Sequence, residues 1–565
     1  MPDQIVSILD NNSTNSAHIY RDAMLSEAHR VLSLLDRERF SPTFGCFDRT
    51  YWAWKFTDFP GARFQEGLCV LSFLYASPFE GNPFYQSSRL LDWITGGFDF
   101  WTKIQYPDGS FDEAYPFERS LAATAFTSFY LSEALNFLDG NLATDTENRF
   151  RIALERAGGW LVRNDEKHGF LSNHLAAAAA ALYHIYRICG QTRFQRRSDY
   201  FLERILDHQS SEGWYDEYGG ADPGYQTHGS FYLARLLDLS DNNDIADSLE
   251  YSFQFLAHFI HADGSIGGEY GSRNTQTYYP AAFEMLSGRS GKAHWIAATM
   301  LSSVEDFSAA GLGTVDIYNL FPLMNNYVFA YLACKKQNHR TKPMILPKDD
   351  HSTIHFPQAG IFKIRNSKYE LYIGLSKGGV VKAFSMEDKR LCLNDCGYIG
   401  RLKSGKMISS QSFDRCRHIR FNNDHVVIEG KFSEFTRPVL SPFTFVGFRA
   451  FTLTFGRFRK FSYLLKTLLV KVLIHRRHEL DLKYRRRISW QSDAFAIEDW
   501  LQGTIGDKID HLRREDLFTT IHMGSSRYFL PNEIISPLLS DEAVERNLDL
   551  SSLNQGVNLK RKVRF

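Results

Sequence analysis

The stretch Glu212-Gly-Trp-Tyr-Asp-Glu-Tyr-Gly-Gly-Ala-Asp-Pro-Gly-Tyr-Gln-Thr-His228 gathers phenols, an imidazole, carboxylates and four glycines ahead of an apolar run, Phe231 to Leu237. Glycine and proline let a backbone turn sharply and bring polar side chains together. Tyr225 and His228, three residues apart, are groups of the kind that carry protons in general acid–base chemistry. Glu217 and Asp222 match a carboxylate pair of the glycosidase type, and equally a pair of solvated loop charges. A second candidate lies at Leu171-Ser-Asn-His-Leu175, where Asn173 and His174 precede an alanine-rich run. There Asn173 reads as a polar site group, as an N-cap for a helix from Leu175, or as both. His228, a lone histidine beside an apolar helix, also fits a structural role.

Two further stretches supply cations and rings. The segment Arg49–Glu66 interleaves Arg49, Trp52, Trp54, Lys55 and Arg63 with Asp and Gln. Aromatic faces beside guanidinium and ammonium groups suit an acidic sugar, and also suit an arm plugged onto a scaffold. Arg273, with Arg49 and Arg63, is a candidate source of the positive charge that lowers a tyrosine pKa. Gln226, next to Tyr225, completes the expected substrate contacts.

These candidates need a scaffold that brings distant turns to one place. Gly109, Gly169, Gly213, Gly264 and Gly313 mark turns roughly 44–60 residues apart, each followed by an apolar helical run. Such a period signals stacked helical hairpins, and a closed ring of hairpins is an (α/α) toroid with loops lining a central cleft. The expected order is a tail and helix over residues 1–40, a toroid over 41–340, and an antiparallel β-sandwich over 350–565. The sandwich is read from short alternating runs such as Tyr369–Leu375 and His425–Gly430. A basic insert at about 457–478 interrupts it, with apolar residues from Phe461 to Leu473 at helical spacing. Basic amphipathic helices lie in anionic membrane surfaces, which makes Phe461, Leu465, Leu469, Lys466 and Lys471 candidate membrane contacts. The other reading is a helix packed on the sandwich.

Composition bounds the partners. The 565 residues carry 65 Lys+Arg and 65 Asp+Glu, so charge gives no reason to expect nucleic acid. Seven scattered cysteines lack zinc-ribbon spacing and read as free thiols of a reducing compartment. The sequence has no signal-peptide pattern and no apolar stretch of spanning length, so the expected location is the cytoplasm, with peripheral contact at the inner face of the plasma membrane. Zinc spacing, Asp-rich magnesium motifs, a P-loop and a dinucleotide motif are missing, and neither metal nor cofactor is expected.

Leu171-Ser-Asn-His with its alanine run, and Glu217-Tyr-Gly-Gly-Ala-Asp-Pro-Gly-Tyr-Gln-Thr-His228, together resemble the heparinase II/III-like polysaccharide lyases. Ala359-Gly-Ile-Phe and Leu393-Asn-Asp-Cys-Gly-Tyr398 resemble pieces of that family's sandwich domain. The resemblance implies a toroid followed by a β-sandwich, and a substrate that is an acidic polysaccharide; a lipid-linked oligosaccharide is the partner expected if the basic helix holds the chain at a membrane. It implies that Asn173 neutralises a uronate carboxylate, while Tyr225 and either His174 or His228 handle the C5 proton and the leaving oxygen. One segment departs from the family: Lys377–Asp388 holds no histidine where the family has a His-rich piece. The readings are therefore a β-elimination lyase or a uronate C5 epimerase, with a non-catalytic glycan-binding or assembly protein as the alternative.

Overall fold

The computed structural model describes residues 13–166, 169–336, 352–414, 417–435, 441–470, 478–520, 528–534 and 552–565. Its N-terminal part alternates outer and inner helices. In chain order these are α1 (Ser13–Leu34), the single turn α2 (Arg49–Trp52), α3 (Gly67–Ala76), α4 (Ser88–Ile104), α5 (Leu121–Phe137), α6 (Thr144–Arg163) and α7 (Ser172–Cys189). They continue as α8 (Thr192–Asp207), α9 (Pro223–Ser240), α10 (Asn243–Ala257), α11 (Ala281–Leu286), α12 (Gly291–Asp306) and α13 (Ile317–Lys336). Helices α3, α5, α7, α9, α11 and α13 each pack on the next, and α13 returns to α3, which closes an inner ring. The outer helices are amphipathic, whereas the inner ones are buried nearly all round. On α7, Ala176 to Ala181 are all buried. Small side chains there let α5 and α9 approach from both sides at interior packing density.

The glycine period corresponds to a repeated joint. Gln105 Nε2 donates to the carbonyls of Gly109 (3.2 Å) and Ala153 (2.9 Å), and Gln209 Nε2 donates to those of Gly213 (3.2 Å) and Ser248 (2.9 Å). Gly109 and Gly213 have φ of +100° and +96°. A Cβ at either would lie 2.1 Å from Arg156 O or 2.3 Å from Tyr251 O. Both the left-handed backbone and the close approach therefore require glycine.

The C-terminal part is a sandwich of two antiparallel sheets. The first runs in spatial order β1 (Ser352–Phe356), β2 (Ile361–Arg365), β3 (Tyr369–Gly374), β4 (Val380–Ser385) and β5 (Arg390–Asp395). The second contains β6 (Tyr398–Leu402), β7 (Met407–Ser409), β8 (His418–Phe421), β9 (His425–Phe435), β10 (His478–Trp490), β11 (Ala494–Gly503), β12 (Ile509–Arg514) and β13 (Val557–Arg564). Its path is β12-β6-β7-β9-β10-β11-β13, with β8 paired to β9. Leu371, Ile373 and Val381 of the first sheet share a core with Val426, Ile428 and Ile488 of the second. The other face of the first sheet meets the toroid, where Tyr372, Val380 and Phe384 pack with Trp214, Phe255, Phe259 and Tyr270.

Two local features differ from the sequence expectations. Helix α9 starts at Pro223, six residues before Gly229. Asp222 caps it by accepting from Tyr225 N at 3.1 Å, and a proline in the first turn is preset for a helix. Tyr225, Gln226 and His228 thus stand on a rigid helix rather than in a loop. The insert contains two helices, α14 (Pro442–Leu453) and α15 (Arg459–Val470). Lys471 and Leu473 lie outside the described residues.

Candidate functional site at the N-terminal end of the ring

The first turns of α5, α7 and α9 and the turns before α3 and α11 meet around the ring of Phe126. The guanidinium of Arg63 lies 4.4 Å from its centroid, His174 stands edge-on at 5.5 Å, and His228 is parallel at 5.9 Å. Tyr279 stacks on His228 at 4.1 Å.

A pairing between two turns delivers Asn173. Leu171 bridges Glu217 in antiparallel fashion, and Ser172 donates to the carbonyl of Asp216 through N (3.2 Å) and Oγ (2.8 Å). Glu217 Oε1 then accepts from Asn173 N (3.0 Å) and Nδ2 (2.8 Å), while its Oε2 takes Arg273 Nη1 at 3.0 Å. The Arg273 guanidinium lies over the Tyr225 ring at 3.8 Å and near Tyr218 at 4.9 Å. Asp222 accepts from Arg273 N (2.8 Å) and Thr275 N (3.3 Å) besides capping α9. Both carboxylates are thus engaged by the protein's own donors, and they orient Asn173, Arg273 and α9. Gln226 Nε2 bonds Gly213 O (3.2 Å) and Ser252 Oγ (2.9 Å), which fixes α9 to its neighbours.

Electrostatics divide the proton carriers. Burial pushes the Tyr225 phenol up to about 12, with Arg273 pulling in the opposite direction. The sequence expectation of a phenol lowered by cations is not met, because desolvation outweighs the nearby charge. Burial, then the charge of Arg63, holds His228 well below its ordinary value, so its imidazole is neutral at neutral pH. His228 Nε2 lies 2.9 Å from Tyr232 Oη. Neither His228 Nδ1 nor Tyr225 Oη has a hydrogen-bond partner among the described residues. His174 Nδ1 is 3.0 Å from Glu166 Oε2. Arg63 Nε donates to Glu66 Oε1 at 2.7 Å. Among the described residues no group of three or more His, Cys, Asp or Glu side chains is placed to hold a metal ion.

The structure therefore gathers Asn173, His174, Tyr225, His228, Arg63 and Arg273. Arg49, Trp52, Trp54 and Lys55 have no hydrogen bond or ring contact to that group among the described residues. Trp52 Nε1 donates to Leu34 O at 2.8 Å, Arg49 leans on Trp52 at 5.9 Å, and Trp54 and Lys55 are exposed.

Residues 85–282 match the family model of the ulvan lyase N-terminal domain. This match covers the helices that bear Asn173 and Tyr225 and the turn that bears Arg273. No curated protein matches the chain by sequence. Among solved structures, a Paenibacillus xanthan lyase superimposes with a TM-score of 0.52 at 10% identity, over 90% of this chain and 47% of that one. The chain thus spans about half the length of that enzyme. A Streptomyces coelicolor A3 chondroitin AC lyase gives 0.48 at 11% identity over 89% of this chain and 68% of the other. Heparinase III gives 0.46 at 10% identity over 78% and 62%. The feature shared with the xanthan lyase is the fold, a helical toroid followed by antiparallel sheets, as the resemblance to polysaccharide lyases implies.

Several site residues were missed from sequence. Phe126, Tyr232 and Tyr279 sit in ordinary apolar helical patterns that give no hint of a site. Lys377 and Lys382 lie in the histidine-free sandwich segment. Lys377 Nζ donates to Gly271 O at 2.7 Å, and burial, opposed by Asp222, brings its pKa down to about 8. Lys382 Nζ holds Glu269 (3.0 Å) and Gln276 (2.8 Å). Lys382 in a strand of high β propensity, with Lys377 in the turn before it, was the available signal. Lys466, expected at a membrane, instead points its charge at the toroid, 3.3 Å from Glu118. Leu465 and Leu469 are half-buried and Phe461 is exposed.

Proposed function

We propose that this protein acts on a uronate-containing acidic polysaccharide by removing the C5 proton. The observation that carries this reading is the cluster around Phe126: an oriented amide, two arginines, a neutral imidazole and a protonated phenol at one end of a helical ring. In the proposed step the amide of Asn173 binds the uronate carboxylate. Removing a proton α to that carboxylate develops negative charge, which fixed donors stabilise. His228 Nδ1, neutral and unengaged, takes the C5 proton. Tyr225 Oη, which keeps its proton, gives it to the O4 leaving oxygen. Arg273 lies against the Tyr225 ring and favours any phenolate formed. The carbon–oxygen bond then breaks, leaving an unsaturated uronate.

A second outcome, C5 epimerisation, follows if the proton returns to the opposite face before the bond breaks. The absence of histidine from Lys377–Asp388 allows such an altered reaction. The polymer would be a cell-surface polysaccharide or its lipid-linked precursor, handled at the cytoplasmic face of the membrane.

The test is incubation of the full chain with ulvan, xanthan, chondroitin and heparan sulfate. Elimination appears as unsaturated-uronate absorbance, and epimerisation as deuterium taken from solvent at C5. Tyr225→Phe should abolish either signal while leaving polysaccharide affinity within a few-fold. Binding without either signal would make the chain a glycan-binding protein, and the proton chemistry would fall.

A further inference from the structure

Residues 441–470 contain five basic residues and not one Asp or Glu. They also hold ten of the twenty-four exposed large hydrophobic residues among the described residues, in a segment of thirty. Phe443 is 90% exposed, Phe458 65% and Leu464 62%, with Val446, Phe455 and Leu468 beside them in the same class.

The polarity of this hairpin is inverted. A helix on a soluble protein turns its apolar stripe to the core and its charges to water. Here charged and polar groups face the toroid: Lys466 pairs with Glu118 at 3.3 Å, and Arg449 Nη2 pairs with Asp58 at 3.0 Å. Ser462 Oγ donates to Phe117 O at 2.6 Å, and Arg119 donates to Arg457 O at 3.1 Å. The outward face carries the phenylalanines and leucines together with exposed Lys460, while Arg459 reaches back to Asn164 and the Arg457 guanidinium lies 5.6 Å from the Phe117 ring, neither with a carboxylate partner among the described residues. Apolar surface turned out beside uncompensated positive charge is complementary to an anionic lipid–water interface. Each helix has 12 residues, too short to cross a bilayer. The hairpin therefore suits an in-plane position.

We propose that the α14–α15 hairpin docks this protein on an anionic bilayer, with its outer apolar face at the headgroup–acyl boundary. This goes beyond the lyase-like reading and stands without it. The same hairpin touches the turns that lead into α5, and the field of Lys466 reaches Glu166 and Tyr218. Docking would accordingly set the site end of the ring against the membrane, where a lipid-linked glycan is within reach.

The experiment is flotation of the full chain with phosphatidylglycerol–phosphatidylcholine vesicles and with phosphatidylcholine alone. Wild type should float with the anionic vesicles and lose most of that binding at high salt. Phe443→Glu/Phe458→Glu/Leu464→Glu should cut the floated fraction at least tenfold while keeping the wild-type thermal melt, since all three side chains face solvent. Lys460→Glu should weaken flotation by a few-fold. No flotation of wild type, equal flotation with neutral vesicles, or full binding by the triple variant would overturn the proposal. So would a concentration-dependent dimer in light scattering that the triple variant dissolves, because the face would then belong to a second copy.

Discussion

The two ends of the helical ring use the same residue types for opposite purposes. At the far end Glu133 Oε1 accepts from Arg235 Nε (2.8 Å) and Nη2 (2.6 Å) and lies 2.9 Å from His184 Nε2, while Arg235 Nη1 reaches Asp238 at 2.6 Å. Burial pushes the Glu133 carboxyl up, yet Arg235 first and His184 second outweigh it and hold it at about 2. At the Phe126 end Glu217 has one arginine contact and one asparagine, and burial wins, leaving its carboxyl above the ordinary value. There the imidazole of His228 and the phenol of Tyr225 each keep an unengaged polar atom. A closed network stabilises a fold; an open one, held by its neighbours but not consumed by them, is available to a ligand.

The sharpest way to break this contrast is to remove the proton carriers at each end. Tyr225→Phe and His228→Gln should each lower turnover on the polysaccharide substrate by about 10²–10⁴-fold. His184→Gln should leave turnover within a few-fold. Equal losses from all three would erase the distinction between the ends.

Stability should show the reverse ranking. Glu133→Gln leaves the buried Arg235 charge with the half-exposed Asp238 as its carboxylate partner and should cost about 3 kcal/mol in denaturant unfolding. Glu217→Gln removes a charge that the fold already disfavours and keeps an acceptor for Arg273, so about 1 kcal/mol is expected.

Acid titration sharpens the same point. The folded pKa of Glu133 lies below its ordinary 4.5. A depressed carboxyl stabilises above its unfolded pKa and loses that contribution as pH falls through the folded one. Wild type should therefore lose about 3 kcal/mol from this group between pH 4.5 and 2, and Glu133→Gln should flatten the stability curve in that window. The smallest effect is reserved for Trp54, 70% exposed and apart from the Phe126 cluster. Trp54→Ala should change KM by no more than about threefold and leave the melt unchanged, as expected for one exposed ring.

Much of the scaffold was legible because it repeats. The glycine turns and the apolar periodicity that follows them are local signals, and the Gln–Gly joints at 105–109 and 209–213 explain the spacing physically. The sandwich was legible from alternation in strands such as β3. Asn173, Tyr225 and Arg273 could be picked out because a polar group stood at a helix start or in a glycine-rich turn. Phe126 and Tyr279 could not, since an aromatic ring in or beside an apolar run has the same local signature whether it floors a cleft or fills a core. The start of α9 was misplaced because glycines 219, 220 and 224 obscured the Asp-Pro start signal at 222–223.

By itself, then, the sequence determined the order of the architectures, helical ring before sheets, and the chemical types available for proton transfer and charge pairing. Short-range steric preference and hydrophobic period are written residue by residue, and a reader needs nothing else to see them. Tertiary structure alone decided which carboxylates are spent on the protein, that Tyr225 keeps its proton despite Arg273, and that Lys466 turns inward while Leu464 and Leu468 turn outward. Those outcomes depend on which distant groups come to share a low-dielectric space, and burial is a property of the packed ring and sandwich rather than of any one stretch of chain.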